Sequence, residues 1–170
     1  MKVLFVVAPE GFRDEELLVP KSKLEAAGHQ VKVAGTKHGF AVGMLGARVE
    51  IDVRLIDVKK DDYGALVIVG GGGSPVFLWN NLALQDLIRA FELAGKPLAA
   101  ICLSPPILAK VGVLFGKKAT TFPDEKAISL LKENGAIYVD TPVVTSGNIV
   151  TAKGPEAAEA FGDEIVRVLS

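Results

Sequence analysis

The chain has 170 residues and a net charge of −1; 49% of its residues are apolar and 23% charged. That length suits a single domain spanning 1–170 with one buried core, and the balanced charge gives no driving force toward nucleic acid or an anionic membrane. No apolar run approaches the ~18 residues a membrane span requires. A lone cysteine excludes an intrachain disulfide and fits a reducing cytoplasm, while two histidines and one cysteine are too few for a protein-held metal, so no cofactor is expected.

Met1 to Ala8 carries one positive charge, then apolar residues, then turns acidic; it lacks a signal-peptide cleavage site and reads as a first strand, Val3 to Ala8, buried on both faces. Pro9 to Arg13 is the loop beyond it. Asp14 to Ala27 has a helical pattern stopped by Gly28, and Pro20 within it cannot donate to the Glu16 carbonyl, which predicts a kink and a loosened first turn around Glu16. Taken singly, Glu16 is an ordinary acid at a helix start. His29 to Gly35 is a second strand; His29 lies at its start, and His38 follows it in a loop. Phe40 to Ile51 reads as a hairpin-like excursion and Tyr63 to Val69 as a third strand ending in Gly70-Gly71-Gly72-Gly73-Ser74-Pro75. Asn80 or Asn81 caps a helix carrying Leu84, Leu87, Ile88 and Phe91 at helical spacing.

Pro97 to Ile101 is a short apolar strand, and Pro105-Pro106 opens a helix running to about Val111. Cys102 stands on the turn between them. There its sulfur would face a helix N-terminus, a setting that gives cysteines pKa values of roughly 3.5–7.5; a small buried cysteine packed at a strand end is the alternative. Further on, Ala119 to Phe122 reads as a strand and Asp124 to Asn134 as an amphipathic helix. Short strands follow at Ile137–Val139, Val143–Thr145 and Ile149–Ala152, with a last helix from Pro155 to about Leu169. The alternation predicts an α/β fold with a doubly wound, mostly parallel sheet and helices on both faces.

Ligands in such sheets bind beyond the carboxyl ends of the strands. Four stretches map there: Pro9–Glu16, the glycine run, Cys102 and Thr151–Pro155. The glycine run follows the third strand, not the first, and has no Walker lysine, so a dinucleotide or P-loop site is not expected. It either brings backbone N–H groups close to a reacting oxygen or forms a bare turn. A phosphoacceptor receiver needs an aspartate at the end of the third strand, where this chain has Gly70. Neither histidine is placed to serve the cysteine. The carboxylates at the right edge are Glu10, Asp14, Glu15 and Glu16, and a protonated glutamate beside the sulfur would donate to the thiolate and lower the cysteine pKa.

Lys2-Val3-Leu4-Phe5, Asp14-Glu15-Glu16-Leu17 with Pro20, Ala65 to Val69 into the glycines, Ala100-Ile101-Cys102 and Ser146 to Pro155 together resemble the ThiJ/PfpI superfamily (the DJ-one/PfpI family, with a class I glutamine amidotransferase-like fold) over nearly the whole chain. The resemblance implies a flavodoxin-like fold, Cys102 at a nucleophile elbow and Glu16 hydrogen-bonded to it. It also implies backbone N–H groups of Gly71, Gly72 and Leu103 in an oxyanion role, and a homodimer or higher oligomer. PfpI-type members have histidine directly after the cysteine, where this chain has Leu103, and an acid just past the glycine turn, where it has Val76. The peptidase arrangement therefore cannot be assembled. Ser104-Pro105-Pro106 replaces the more usual glycine-proline. Arg13 stands where the family often has an acid; with Ser104 it is a candidate substrate contact, or it pairs with Glu10. The resemblance implies a cysteine-dependent deglycase or glutathione-independent glyoxalase acting on small carbonyls such as methylglyoxal. The alternatives are a redox sensor or chaperone with an oxidisable Cys102, and an intracellular cysteine peptidase, which Leu103 disfavours.

Overall fold

The computed structural model describes residues 1–170. Chain order runs β1 (Lys2–Val6), β2 (Glu10–Phe12), α1 (Asp14–Ala26), β3 (Gln30–Gly35), β4 (Phe40–Gly43), β5 (Arg48–Glu50), β6 (Val53–Arg54) and β7 (Ala65–Ile68). It continues through α2 (Gly73–Phe77), α3 (Leu82–Leu93), β8 (Leu98–Ile101), α4 (Pro105–Lys110), β9 (Lys118–Ala119) and α5 (Glu125–Glu133). The chain closes with β10 (Ile137–Tyr138), β11 (Val143–Ser146), β12 (Ile149–Ala152) and α6 (Ala158–Leu169). No helix is long and apolar enough to cross a membrane.

Seven strands form one sheet in the order β11-β12-β8-β7-β1-β3-β6, parallel throughout except for β11 at the edge. Strand alternation divides its side chains between two cores. Leu4, Val6, Leu66, Ile68, Leu98 and Ala100 pack with Leu84, Ile88 and Phe91 of α3 and Ile107 and Leu108 of α4. Val3, Phe5, Val67, Ala99 and Ile101 pack on the other face with Leu17 and Leu24 of α1 and Phe161 and Ile165 of α6. Covering both faces explains why β7, β8 and β1 beyond Lys2 are apolar without interruption. The doubly wound α/β fold read from the sequence is thus present. Its strand order reverses between β1 and β7, so the segments leaving those strands, with the neighbouring β8, border the crevice where such sheets bind ligands.

Helix α1 runs through Pro20 as one helix. It packs closely on α6, where a side-chain carbon at Gly162 would lie 3.0 Å from the Pro20 Cα. The excursion after β3 is the antiparallel pair β4–β5, joined by β2 into a separate small sheet. The strand expected over Ala119 to Phe122 is shorter: only Lys118–Ala119 is strand, paired with β10 apart from the main sheet. The reason lies in the next three residues. Thr120 N–H donates to Thr151 Oγ1, and Thr121 and Phe122 turn inward to hydrogen-bond the Cys102 carbonyl. The last helix begins one turn later than expected, after a 3-10 turn over Pro155–Ala157.

Candidate active site

Cys102 follows β8 directly and is the only non-glycine residue with positive φ (65°), a left-handed turn that side chains tolerate poorly. The turn is held from both flanks. Cys102 N–H donates to Ala152 O at 2.9 Å, and Ser104 N–H to Ile101 O at 3.1 Å. The Cys102 carbonyl accepts from Thr121 Oγ1 at 2.7 Å and Phe122 N–H at 2.8 Å. The Leu103 carbonyl accepts from Trp79 Nε1 at 2.6 Å. With both carbonyls tied outward, the Leu103 N–H is left to the cysteine sulfur, and Gly71 N–H approaches the sulfur from the opposite turn.

Glu16, in the first turn of α1, is fully buried, and its Oε1 accepts from Gly70 N–H at 3.1 Å. A side-chain carbon at Gly70 would lie 2.6 Å from the Cys102 Cβ and 2.7 Å from Glu16 Oε1. Glycine at this position is therefore what lets the acid and the thiol meet. Gly71, at φ 105°, has the same explanation, since a side chain there would strike the backbone of Gly11 and Phe12. The glycine run is a place where two backbones pass closely.

Burial pushes the Glu16 carboxyl from 4.5 up to about 8, opposed by its hydrogen bonds with Cys102 and Gly70 N–H and by the charge of Arg13. Its Oε2 has no conventional hydrogen-bond partner, and the thiol is the side chain to which Glu16 is coupled. At neutral pH Glu16 is accordingly a protonated acid beside the sulfur. The lowered cysteine pKa expected from the sequence does not follow. Burial, and then the charge of an ionised Glu16, push Cys102 from 9.0 up to about 12, against the N–H groups of Gly71 and Leu103. Two local facts account for this. Cys102 is only 5% exposed, and Pro105 and Pro106 open α4 without N–H groups, so the helix end offers the sulfur little. The two groups titrate as a pair, and between their two steps they hold one proton in common.

The remaining expected residues divide. Gly72 N–H is taken by Met44 Sδ at 3.5 Å and does not face the thiol as Gly71 does. Ser104 is no substrate contact: it is fully buried, its hydroxyl donating to Val69 O at 2.7 Å and lying 2.8 Å from Ser74 Oγ. Arg13 makes a two-pronged salt bridge with Glu15, both contacts at 2.9 Å, and not with Glu10; its backbone N–H donates to Gly70 O. Asp14 accepts from Leu45 N–H at 3.0 Å and Ala47 N–H at 2.8 Å, fastening the β4–β5 turn beside the glycine run. Val76 is exposed on α2. His29 meets the N-terminal ammonium and His38 is exposed, and neither acts on Cys102. Trp79, Thr121, Phe122 and Met44 hold the elbow or the glycine turn and carry no motif. Only the hydroxyl pair Thr120-Thr121, unusual in a buried stretch, could have drawn attention to its segment.

The sequence pattern of the DJ-1/PfpI family matches residues 1–168. The chain belongs to that family. An uncharacterized protein of Methanocaldococcus jannaschii is 49% identical over 168 residues, covering 99% of this chain and 82% of that protein. A protein of Pyrococcus horikoshii named a deglycase is 36% identical over 169 residues, 99% of each chain. The crystal structure of a ThiJ/PfpI domain protein from Brachyspira murdochii superposes with a TM-score of 0.94 at 33% identity, covering 99% of this chain and 95% of that one. The flavodoxin-like architecture expected for the family is the one observed.

Proposed function

We propose that this protein is a cysteine-dependent enzyme of the deglycase or glyoxalase type, acting on small reactive carbonyls through Cys102 and Glu16. The observation that carries the reading is the buried acid–thiol contact on a strained elbow, in a chain whose relatives include proteins named deglycases. A carboxyl with a pKa of about 8 is matched to proton transfer near neutral pH. For methylglyoxal, the sulfur adds to the aldehyde carbon while the thiol proton passes through Glu16 to the aldehyde oxygen, giving a hemithioacetal. Glu16 gives its proton to the ketone oxygen as its other oxygen takes the proton on that carbon, forming an enediol; it then returns that proton to the former ketone carbon and recovers one from the first hydroxyl, leaving a lactoyl thioester. Water cleaves the thioester to lactate and restores the thiol, so the sequence is an internal redox reaction with water as the only co-reactant. The N–H groups of Gly71 and Leu103 would stabilise the oxygen that gains charge.

Lactate production from methylglyoxal without glutathione tests the reading. Wild type should form lactate and Cys102→Ser should not; equal rates would overturn it. A second reading, oxidation of Cys102 by peroxide through sulfenic to sulfinic acid, is favoured by the same acid beside the sulfur. Intact-mass measurement after mild peroxide would then register two added oxygens.

A further inference from the structure

A peptide group is planar, with its C=O and N–H pointing in opposite directions, so a donor bonded to the oxygen fixes where the N–H aims. The Cys102–Leu103 peptide carries the Leu103 N–H that faces the sulfur. Its oxygen accepts twice, from Thr121 Oγ1 at 2.7 Å and from Phe122 N–H at 2.8 Å. The Gly71 N–H is held in the same way, since the oxygen of its peptide, Gly70 O, accepts Arg13 N–H at 3.0 Å. That second anchor is backbone alone. Of the two N–H groups at the sulfur, only that of Leu103 is aimed by a side chain, the Thr121 hydroxyl.

A buried hydroxyl ordinarily takes whatever acceptor is near, and satisfying itself is often its whole role. Three observations go beyond that here. Thr121, fully buried, gives its single proton to an oxygen that already has a backbone donor, so the carbonyl would stay satisfied without it. The neighbouring Thr120 is equally buried, yet its hydroxyl has no hydrogen-bond partner in the protein, so the segment does not require its hydroxyls to be paired. The contact also closes on Cys102, the one non-glycine residue at positive φ, a conformation that persists only where its surroundings over-determine it.

We propose that Thr121 is a positioning residue: its hydroxyl aims the Leu103 N–H at the sulfur in the resting enzyme and at the oxygen that gains charge during the reaction. It acts through the Cys102–Leu103 peptide. A hydroxyl bonded to a carbonyl also polarises the peptide, which strengthens the N–H at its other side as a donor. The catalytic half of the proposal rests on the carbonyl reading above, in which that N–H stabilises the oxygen. The other half, the hold on the sulfur, does not depend on any substrate.

Two measurements test it. Alkylation of Cys102 by iodoacetamide follows the thiolate, which the Leu103 N–H stabilises. Thr121→Val keeps the side-chain shape and removes the hydroxyl, so at pH 9 it should slow alkylation roughly threefold to tenfold, the equivalent of a single hydrogen bond. Mere loosening of the buried elbow would expose the thiol and speed the reaction, so a faster or unchanged rate would overturn the proposal. Thr121→Ser, which keeps the hydroxyl and loses the methyl, should react as wild type, and so should Thr120→Val, which removes the unpartnered hydroxyl. A loss in either as large as in Thr121→Val would mean packing, not the hydroxyl, and would overturn it. Should the valine variant not fold, Thr121→Ala against Thr121→Ser makes the same comparison. In steady-state lactate assays Thr121→Val should lower kcat by at least the same factor with KM for methylglyoxal within about twofold, and Thr121→Ser should restore kcat. A rise in KM with kcat unchanged would overturn the positioning role. Wild type that forms no lactate would instead defeat the carbonyl reading, while alkylation would still decide what Thr121 does at the sulfur.

Discussion

Replacing Glu16 by glutamine should change how stability depends on pH, and the structure gives the sign and size. Burial holds the folded carboxyl at about 8 against 4.5 for the free side chain. Between those values the folded state binds a proton that the unfolded chain has released, so stability falls as pH rises through the window. At ~1.4 kcal/mol per pH unit, the full window corresponds to about 5 kcal/mol. Below it both states are protonated and the effect vanishes. Cys102, raised from 9.0 to about 12, adds a second decline above pH 9 with the same sign. Urea titrations at pH 5, 6, 7 and 8 would measure the slope. Wild type should lose stability steeply and progressively, and Glu16→Gln should be nearly flat, because the glutamine can still accept from Gly70 N–H but cannot ionise. Whatever the substitution costs at a single pH, the difference in slope is diagnostic. Parallel curves for the two proteins would refute the protonated, buried acid.

Two further outcomes follow from the same contacts. Gly70→Ala places a carbon against Cys102 Cβ and Glu16 Oε1, so it should cost about 1–3 kcal/mol of stability and abolish Cys102-dependent turnover; a fully active variant would contradict the tight approach. Asp14→Ala removes the acceptor for two backbone N–H groups at the hairpin turn, which should cost about 1–3 kcal/mol and make the Met44–Ala47 turn the first site of limited proteolysis. Cleavage at an unaltered rate would show that the turn is fastened by other means.

The sheet was legible because strands buried on both faces leave uninterrupted apolar runs, as at Val3 to Val7 and Ala65 to Val69. Cys102 and Glu16 were legible through their places after β8 and β1, and the observed fold brings them together through Gly70. The sign of the cysteine shift was not. Position at a helix start suggested a stabilised thiolate, but exposure and the count of free N–H groups decide the matter, and both depend on tertiary packing and on Pro105-Pro106. The 119–122 segment departs from the strand pattern for a related reason: its residues suit a strand, yet the hydrogen bonds of Thr120 to Phe122 go to Thr151 and Cys102. Ser104 looked available from its polarity alone, and only the packing shows its hydroxyl turned inward to Val69.

The account depends on Cys102 forming a covalent bond to a carbonyl carbon under the control of Glu16. Mass spectrometry of peptides from protein mixed with methylglyoxal and quenched within its turnover time tests that directly. The modification should map to Cys102 and be absent in Cys102→Ser together with lactate, and Glu16→Gln should form no lactate, because the proton transfers of both steps pass through the carboxyl. Modification confined to lysine or arginine side chains, with lactate still forming in Cys102→Ser, would contradict it.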